Sequence, residues 1–183
     1  MIFTQDNYLP LDVFKKLQDY CSESHFEIIK AGGKEFSTLE TPKEITPYLE
    51  ADGYNLILTF IRYAHHGFDN DLNIHADNII LNKKTSMASV LYINEDNIGA
   101  NGTSFFEHHH HGVKLPEDCS SEEFDRLLTE DSEDIGKWKL ADNIKSRPNR
   151  LLMYNANYFH AKYPKEITLG KRIVLVCFYE KSK

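Results

Sequence analysis

The chain has 183 residues, 41% hydrophobic and 12% aromatic, enough to build one domain around a sizeable core without disulfide or metal staples. A net charge of −7 and a pI near 5.7 disfavour a non-specific binder of nucleic acid or anionic membrane, which needs clustered Lys and Arg to displace counterions. No apolar run of about 18 residues is present to span a bilayer. The start, Met1-Ile2-Phe3-Thr4-Gln5-Asp6, lacks the basic and apolar regions of a secretory signal, so a soluble cytoplasmic domain is expected.

Along the chain, Val13, Phe14, Leu17 and Tyr20 recur at 3/4 spacing after Pro10 and predict an amphipathic helix over Asp12–Ser22. His25–Lys30 is short and β-like, Gly32-Gly33 breaks it, and Pro42–Glu50 reads as a second helix before the Asp52-Gly53 turn. From there the pattern is β-rich: Tyr54–Ala64, Ile74–Leu81, Met87–Asn94, Thr103–Glu107, Arg150–Asn155 and Lys171–Glu180. Such runs suggest a sandwich or barrel. Between the fourth and fifth, a capping signal at Ser120-Ser121-Glu122-Glu123 predicts a helix to Thr129, followed by a polar stretch around Trp138. The acidic run from Glu117 to Asp134 reads as a solvated face. Cys21, Cys119 and Cys177 are odd in number and lack CxxC spacing, which makes them free thiols.

Among the histidines the best candidate ligand set is His75-Ala76-Asp77. Residues i and i+2 on a strand share a face, so imidazole and carboxylate can converge on one ion. His160, shortly after the apolar run Leu151-Leu152-Met153-Tyr154, offers a second imidazole from a distant strand. Two His and one carboxylate cover one face of an octahedron and leave three positions open, an arrangement suited to non-haem iron(II). The HxD tripeptide alone also fits a plain surface pair. Arg172 shifts the balance: it lies in Lys171-Arg172-Ile173-Val174-Leu175-Val176-Cys177-Phe178-Tyr179, where a charge is costly to bury without an anion, and its planar fork matches a carboxylate.

In the order and spacing of His75, Asp77, His160 and Arg172, the chain resembles the 2-oxoglutarate/Fe(II)-dependent dioxygenase superfamily. The likeness is greatest to its prolyl-4-hydroxylase-like branch, through Leu91-Tyr92-Ile93-Asn94 and Gly102-Thr103-Ser104-Phe105-Phe106, and spans residues 54–180. The resemblance implies a mainly β fold with flanking helices and a double-stranded β-helix (jelly-roll, cupin-like) core. In that fold 1–183 is one domain: 1–53 supports a core at 54–180, with an insertion at 112–148. It also implies iron(II) on His75, Asp77 and His160, with 2-oxoglutarate as small-molecule cosubstrate alongside O2. Arg172 and Tyr92 would meet the distal carboxylate, and Tyr63 the metal-chelating end. The primary substrate would be a peptidyl proline, another protein side chain or a small molecule. Because relatives that halogenate lack the carboxylate ligand, Asp77 favours hydroxylation. Two departures stand out: Val174 replaces the Ser or Thr many relatives carry two residues after the Arg, and Asn101 replaces the second Gly of the Gly-Gly-Thr pattern.

The run His108-His109-His110-His111 is expected to line the cavity mouth, because alternate members of a strand face opposite sides and cannot share one ion. His65-His66 reads as a polar loop at the cavity edge. Two rival readings remain. One is a non-catalytic or zinc-holding β-barrel binding module; the other is a cupin-type metalloenzyme without 2-oxoglutarate, which has no use for a buried Arg172.

Overall fold

The apolar, β-branched runs pair into antiparallel sheets. The structure is a computed structural model that describes residues 1–31, 34–65, 67–68, 73–94, 102–162 and 170–182. Its first half contains β1 (Ile2–Gln5), α1 (Leu11–Glu23), β2 (Glu27–Ala31), β3 (Lys34–Glu40) and β4 (Tyr54–His65). Then come β5 (Ile79–Ile80), β6 (Lys83–Lys84), β7 (Met87–Tyr92), β8 (Thr103–His108) and α2 (Ser121–Arg126). The last strands are β9 (Trp138–Ile144), β10 (Arg150–Asn155), β11 (His160–Lys162) and β12 (Lys171–Lys181). A major sheet runs β1-β10-β7-β12-β4-β3-β2, a minor one β11-β8-β9, and β5-β6 form a separate hairpin.

Side-chain alternation divides the interior into three layers. From the major sheet, Val90, Tyr92, Leu152, Tyr154, Val174 and Phe178 pack against Phe105 of β8, so this cluster fills the space between the sheets. Their neighbours Leu91, Leu151, Ile173, Leu175 and Cys177 face the other way, onto Phe14, Leu17 and Cys21 of α1. The third cluster, with Ile74, Phe106, Leu127, Trp138 and Phe159, lies on the outer side of the minor sheet. β12 is therefore apolar on both faces because both are covered.

Several expected elements differ. The helix expected over Pro42–Glu50 is a single 3-10 turn, Thr46–Leu49, since Pro47 in mid-span has no N–H to continue a helix. Ile74–Leu81 is not a continuous strand: His75 makes an isolated bridge to His160, and only Ile79–Ile80 pairs with β6 across a turn where Leu81 and Asn82 have positive φ. The helix of the insertion ends at Arg126 and passes into a π turn, Leu127–Asp131. The polar stretch around Trp138 is β9, paired with β8; its residues between Trp138 and Ile144 are exposed, which hid the alternation. Among the described residues no helix is long and apolar enough to cross a membrane, and the three thiols are free.

Candidate metal centre and cosubstrate pocket

Two main-chain hydrogen bonds set the centre. The His75 N–H donates to the His160 carbonyl at 3.0 Å and the His160 N–H to the His75 carbonyl at 2.9 Å, placing the two imidazoles side by side with centroids 4.5 Å apart. The Asp77 N–H donates to the Ala156 carbonyl and turns the carboxylate toward them. Each His Nδ1 is held by the carbonyl two residues earlier: Asn73 for His75 at 2.7 Å, Tyr158 for His160 at 2.9 Å. With Nδ1–H donating, each Nε2 presents a lone pair. Those nitrogens stand 3.5 Å and 3.2 Å from the two Asp77 oxygens.

Two imidazole lone pairs and a carboxylate, with one donor atom each within 4.8 Å of one another, repel unless a cation lies among them, either a metal ion or a proton on an imidazole. Hence the donor set fits a divalent ion, and among the described residues it is the only trio of His, Cys, Asp or Glu so gathered. A protonated imidazole would pair with the same carboxylate. Burial alone would raise the Asp77 pKa, but the charges and hydrogen bonds of His160 and His75 outweigh it and hold the carboxyl far below its usual range. Burial likewise disfavours a charged His75, yet Asp77 outweighs it and the net shift is upward.

A cavity opens beside this trio, walled by inward side chains of the major sheet: Phe60, Arg62, Arg172, Val174, Val176 and Phe178. Arg172 is 7% exposed, so the expected buried guanidinium shares the cavity with His75, Asp77 and His160. Tyr92 lies behind that wall. Its ring is 6.0 Å from the Arg172 guanidinium carbon, but its hydroxyl is engaged with Thr103 Oγ1 at 2.9 Å, and Thr103 is the one that lines the cavity. Tyr63 is not brought to the centre. It projects from the opposite face of β4, packs on Phe26, and lines a separate cleft with His65 and Ile173.

The histidine run also departs from expectation. His108 lies on the outer side of the minor sheet against Trp138 and Phe159, and the cavity wall includes none of the four. His66 and Asn101 lie outside the described residues. Arg62, Thr103 and Tyr154 are among the cavity residues missed from sequence. The Tyr154 hydroxyl lies 2.9 Å from His160 Nε2 and 3.4 Å from Asp77 Oδ2, and burial followed by the Asp77 charge pushes its pKa well up. Its signal was parity on β10, where Leu152 and Tyr154 face the same way.

The arrangement as a whole matches solved structures. One is the non-heme alpha ketoglutarate dependent carbocyclase SnoK from nogalamycin biosynthesis, at TM-score 0.65 and 13% identity over 97% of this chain and 78% of that one. HygX from Streptomyces hygroscopicus, solved with nickel and 2-oxoglutarate bound, gives TM-score 0.61 and 11% identity over 99% and 83%. A Pseudomonas putida prolyl-4-hydroxylase gives TM-score 0.56 and 13% identity over 100% and 93%. The fold is thus the double-stranded β-helix of 2-oxoglutarate- and iron-dependent oxygenases. The chain belongs to the family described as a family of unknown function, DUF6445, which matches residues 73–166 and so includes His75, Asp77 and His160. No curated protein matches it.

Proposed function

We propose that this protein is a non-haem iron(II)- and 2-oxoglutarate-dependent oxygenase that hydroxylates a C–H bond of a protein side chain or small molecule. The carrying observation is the orientation of the two imidazoles: both Nδ1 atoms are tied to main-chain carbonyls, so both Nε2 lone pairs and Asp77 converge, in the cavity that also buries Arg172.

In this reading His75, Asp77 and His160 would hold iron(II) beside the cavity. Arg172 receives the distal carboxylate of 2-oxoglutarate through its planar fork. Thr103, braced by Tyr92, supplies the hydroxyl absent at Val174. The apolar wall of Val174, Val176 and Phe178 excludes water from that contact and strengthens it. Bound iron, with 2-oxoglutarate and O2, supplies the oxidising power, and succinate and CO2 are the coproducts. A carbocyclase and a prolyl-4-hydroxylase share this scaffold, so the primary substrate follows from the cavity rather than from the fold.

The test is an anaerobic titration of the iron(II)-loaded protein with 2-oxoglutarate. The expected result is a visible metal-to-ligand charge-transfer band that saturates at one equivalent. Iron that is bound, and lost in His75→Ala, but gives no band would overturn the proposal.

A further inference from the structure

The histidine run does not act as a unit. Paired main-chain bonds between His108 and Gly112, at 2.8 and 2.9 Å, close a tight turn that separates its members. His108 is fully engaged: the His110 main-chain N–H donates to its Nδ1 at 3.3 Å, and its Nε2 meets Asp131 Oδ2 at 3.2 Å. This is a satisfied core histidine.

His111 differs. Its ring stacks on His108 with centroids 4.7 Å apart, its side chain is 9% exposed, and its Nε2 is buried with no hydrogen-bond partner. The nearest charge is Glu123 Oε1, on the first turn of α2, 3.4 Å away. A proton shared between them would draw the pair into a shorter, aligned hydrogen bond. An unaligned separation of this size is instead that of two donors on one tetrahedral ion, about 3.3 Å for metal–ligand bonds near 2.0 Å.

A third donor is at hand. Cys119 precedes the Ser120 cap of α2; its partly exposed thiol donates to the Ser120 carbonyl at 3.5 Å, and burial followed by the nearby Glu123 charge raises its pKa. We propose that His111, Glu123 and Cys119 form a second metal site, for a zinc-like divalent ion with water as fourth ligand. A neutral imidazole, a carboxylate and a thiolate carry two negative charges together, matching the ion, and the donor types are those zinc prefers. Binding releases one proton, from the Cys119 thiol to solvent. The thiol closes on the ion by rotating about its Cα–Cβ bond, while His111 and Glu123 already stand at donor spacing. The site staples the turn after β8 to α2, and so the insertion to the minor sheet, on the side away from His75, Asp77 and His160.

The experiment is titration of the whole chain with cobalt(II). A sulfur-to-cobalt charge-transfer band in the near ultraviolet reports this site alone, because the His75, Asp77 and His160 centre contains no sulfur and Cys21 and Cys177 are buried in the core. The expected band is present in the unsubstituted protein and in His75→Ala. It is lost in Cys119→Ser and in His111→Ala, both checked for native circular dichroism, and weakened in Glu123→Gln. Zinc should raise the unfolding midpoint of His75→Ala but not of the His75→Ala/His111→Ala double variant. Absence of the sulfur band, or its survival in His111→Ala or Cys119→Ser, overturns the site without touching the iron reading.

Discussion

Arg172→Ala is the most direct test of the proposed pairing with 2-oxoglutarate. Arg172 is 7% exposed and flanked by Val174, at 1%, and by the Tyr92 ring, so its pairing with a carboxylate would be barely screened by water. Two charge-assisted hydrogen bonds of about 1.5–3 kcal/mol each agree with the roughly 3–5 kcal/mol lost when one member of a buried ion pair is removed. That corresponds to a 2-oxoglutarate affinity weaker by roughly 10²- to 4 × 10³-fold, at 1.4 kcal/mol per tenfold. Iron affinity should stay within about twofold, because the donor trio is assembled by main-chain bonds at Asn73, Ala156, Tyr158 and His160 rather than by Arg172. The anaerobic charge-transfer titration reads the first quantity, and iron binding without cosubstrate reads the second. A 2-oxoglutarate affinity within about fivefold of the unsubstituted protein would refute the pairing, and a parallel loss of iron would refute the division of roles.

Three further outcomes follow from the geometry. Val174→Thr restores a hydroxyl on the cavity face two residues from Arg172 and should tighten 2-oxoglutarate about fivefold, one hydrogen bond of about 1 kcal/mol; no change in the titration would place the distal carboxylate elsewhere. Because Asp77 raises the His75 pKa against the effect of burial, that imidazole holds its proton to a higher pH than a free one, and iron must displace it. Apparent iron affinity should therefore fall by up to about tenfold per unit as pH drops below the raised value and level off above it, as measured by equilibrium competition with a chelator. Gly102→Ala would place a Cβ 1.5 Å from the Ile144 carbonyl oxygen, forcing β8 from β9 beside Thr103. Denaturant unfolding should show a loss at or above the upper end of the about 1–3 kcal/mol typical of overpacking.

That His75, Asp77, His160 and Arg172 share one cavity was legible chiefly through Arg172, since a guanidinium within an apolar strand needs an anion wherever the strand lies, whereas the HxD tripeptide alone also fits a surface pair. Tyr63 was assigned to the site and Arg62 overlooked for one physical reason. Consecutive strand residues face opposite sides, and parity on β4 is unreadable because Ile61 and Phe60 are both apolar, one facing the α1 layer and the other the cavity. Only the register, with Ala64 opposite Arg172 and Arg62 opposite Val174, decides it. Arg62 then projects into the cavity and Tyr63 away from it.

The same dependence on partners explains the remaining surprises, and it makes Arg62 more than an incidental neighbour. Val174 is flanked by Arg62 on β4 and by Tyr92 on β7, so the position that lacks a hydroxyl has a cation on one side and, through Tyr92, the Thr103 hydroxyl on the other. In the proposed reading the group missing at Val174 is offset by side chains from two other strands, which no inspection of β12 alone reveals. β9 was hidden in the opposite sense: its exposed polar residues carry no alternation, and only pairing with β8 makes them a strand. Register converts a local list of residues into a site, and it is the quantity that single-strand patterns leave undetermined.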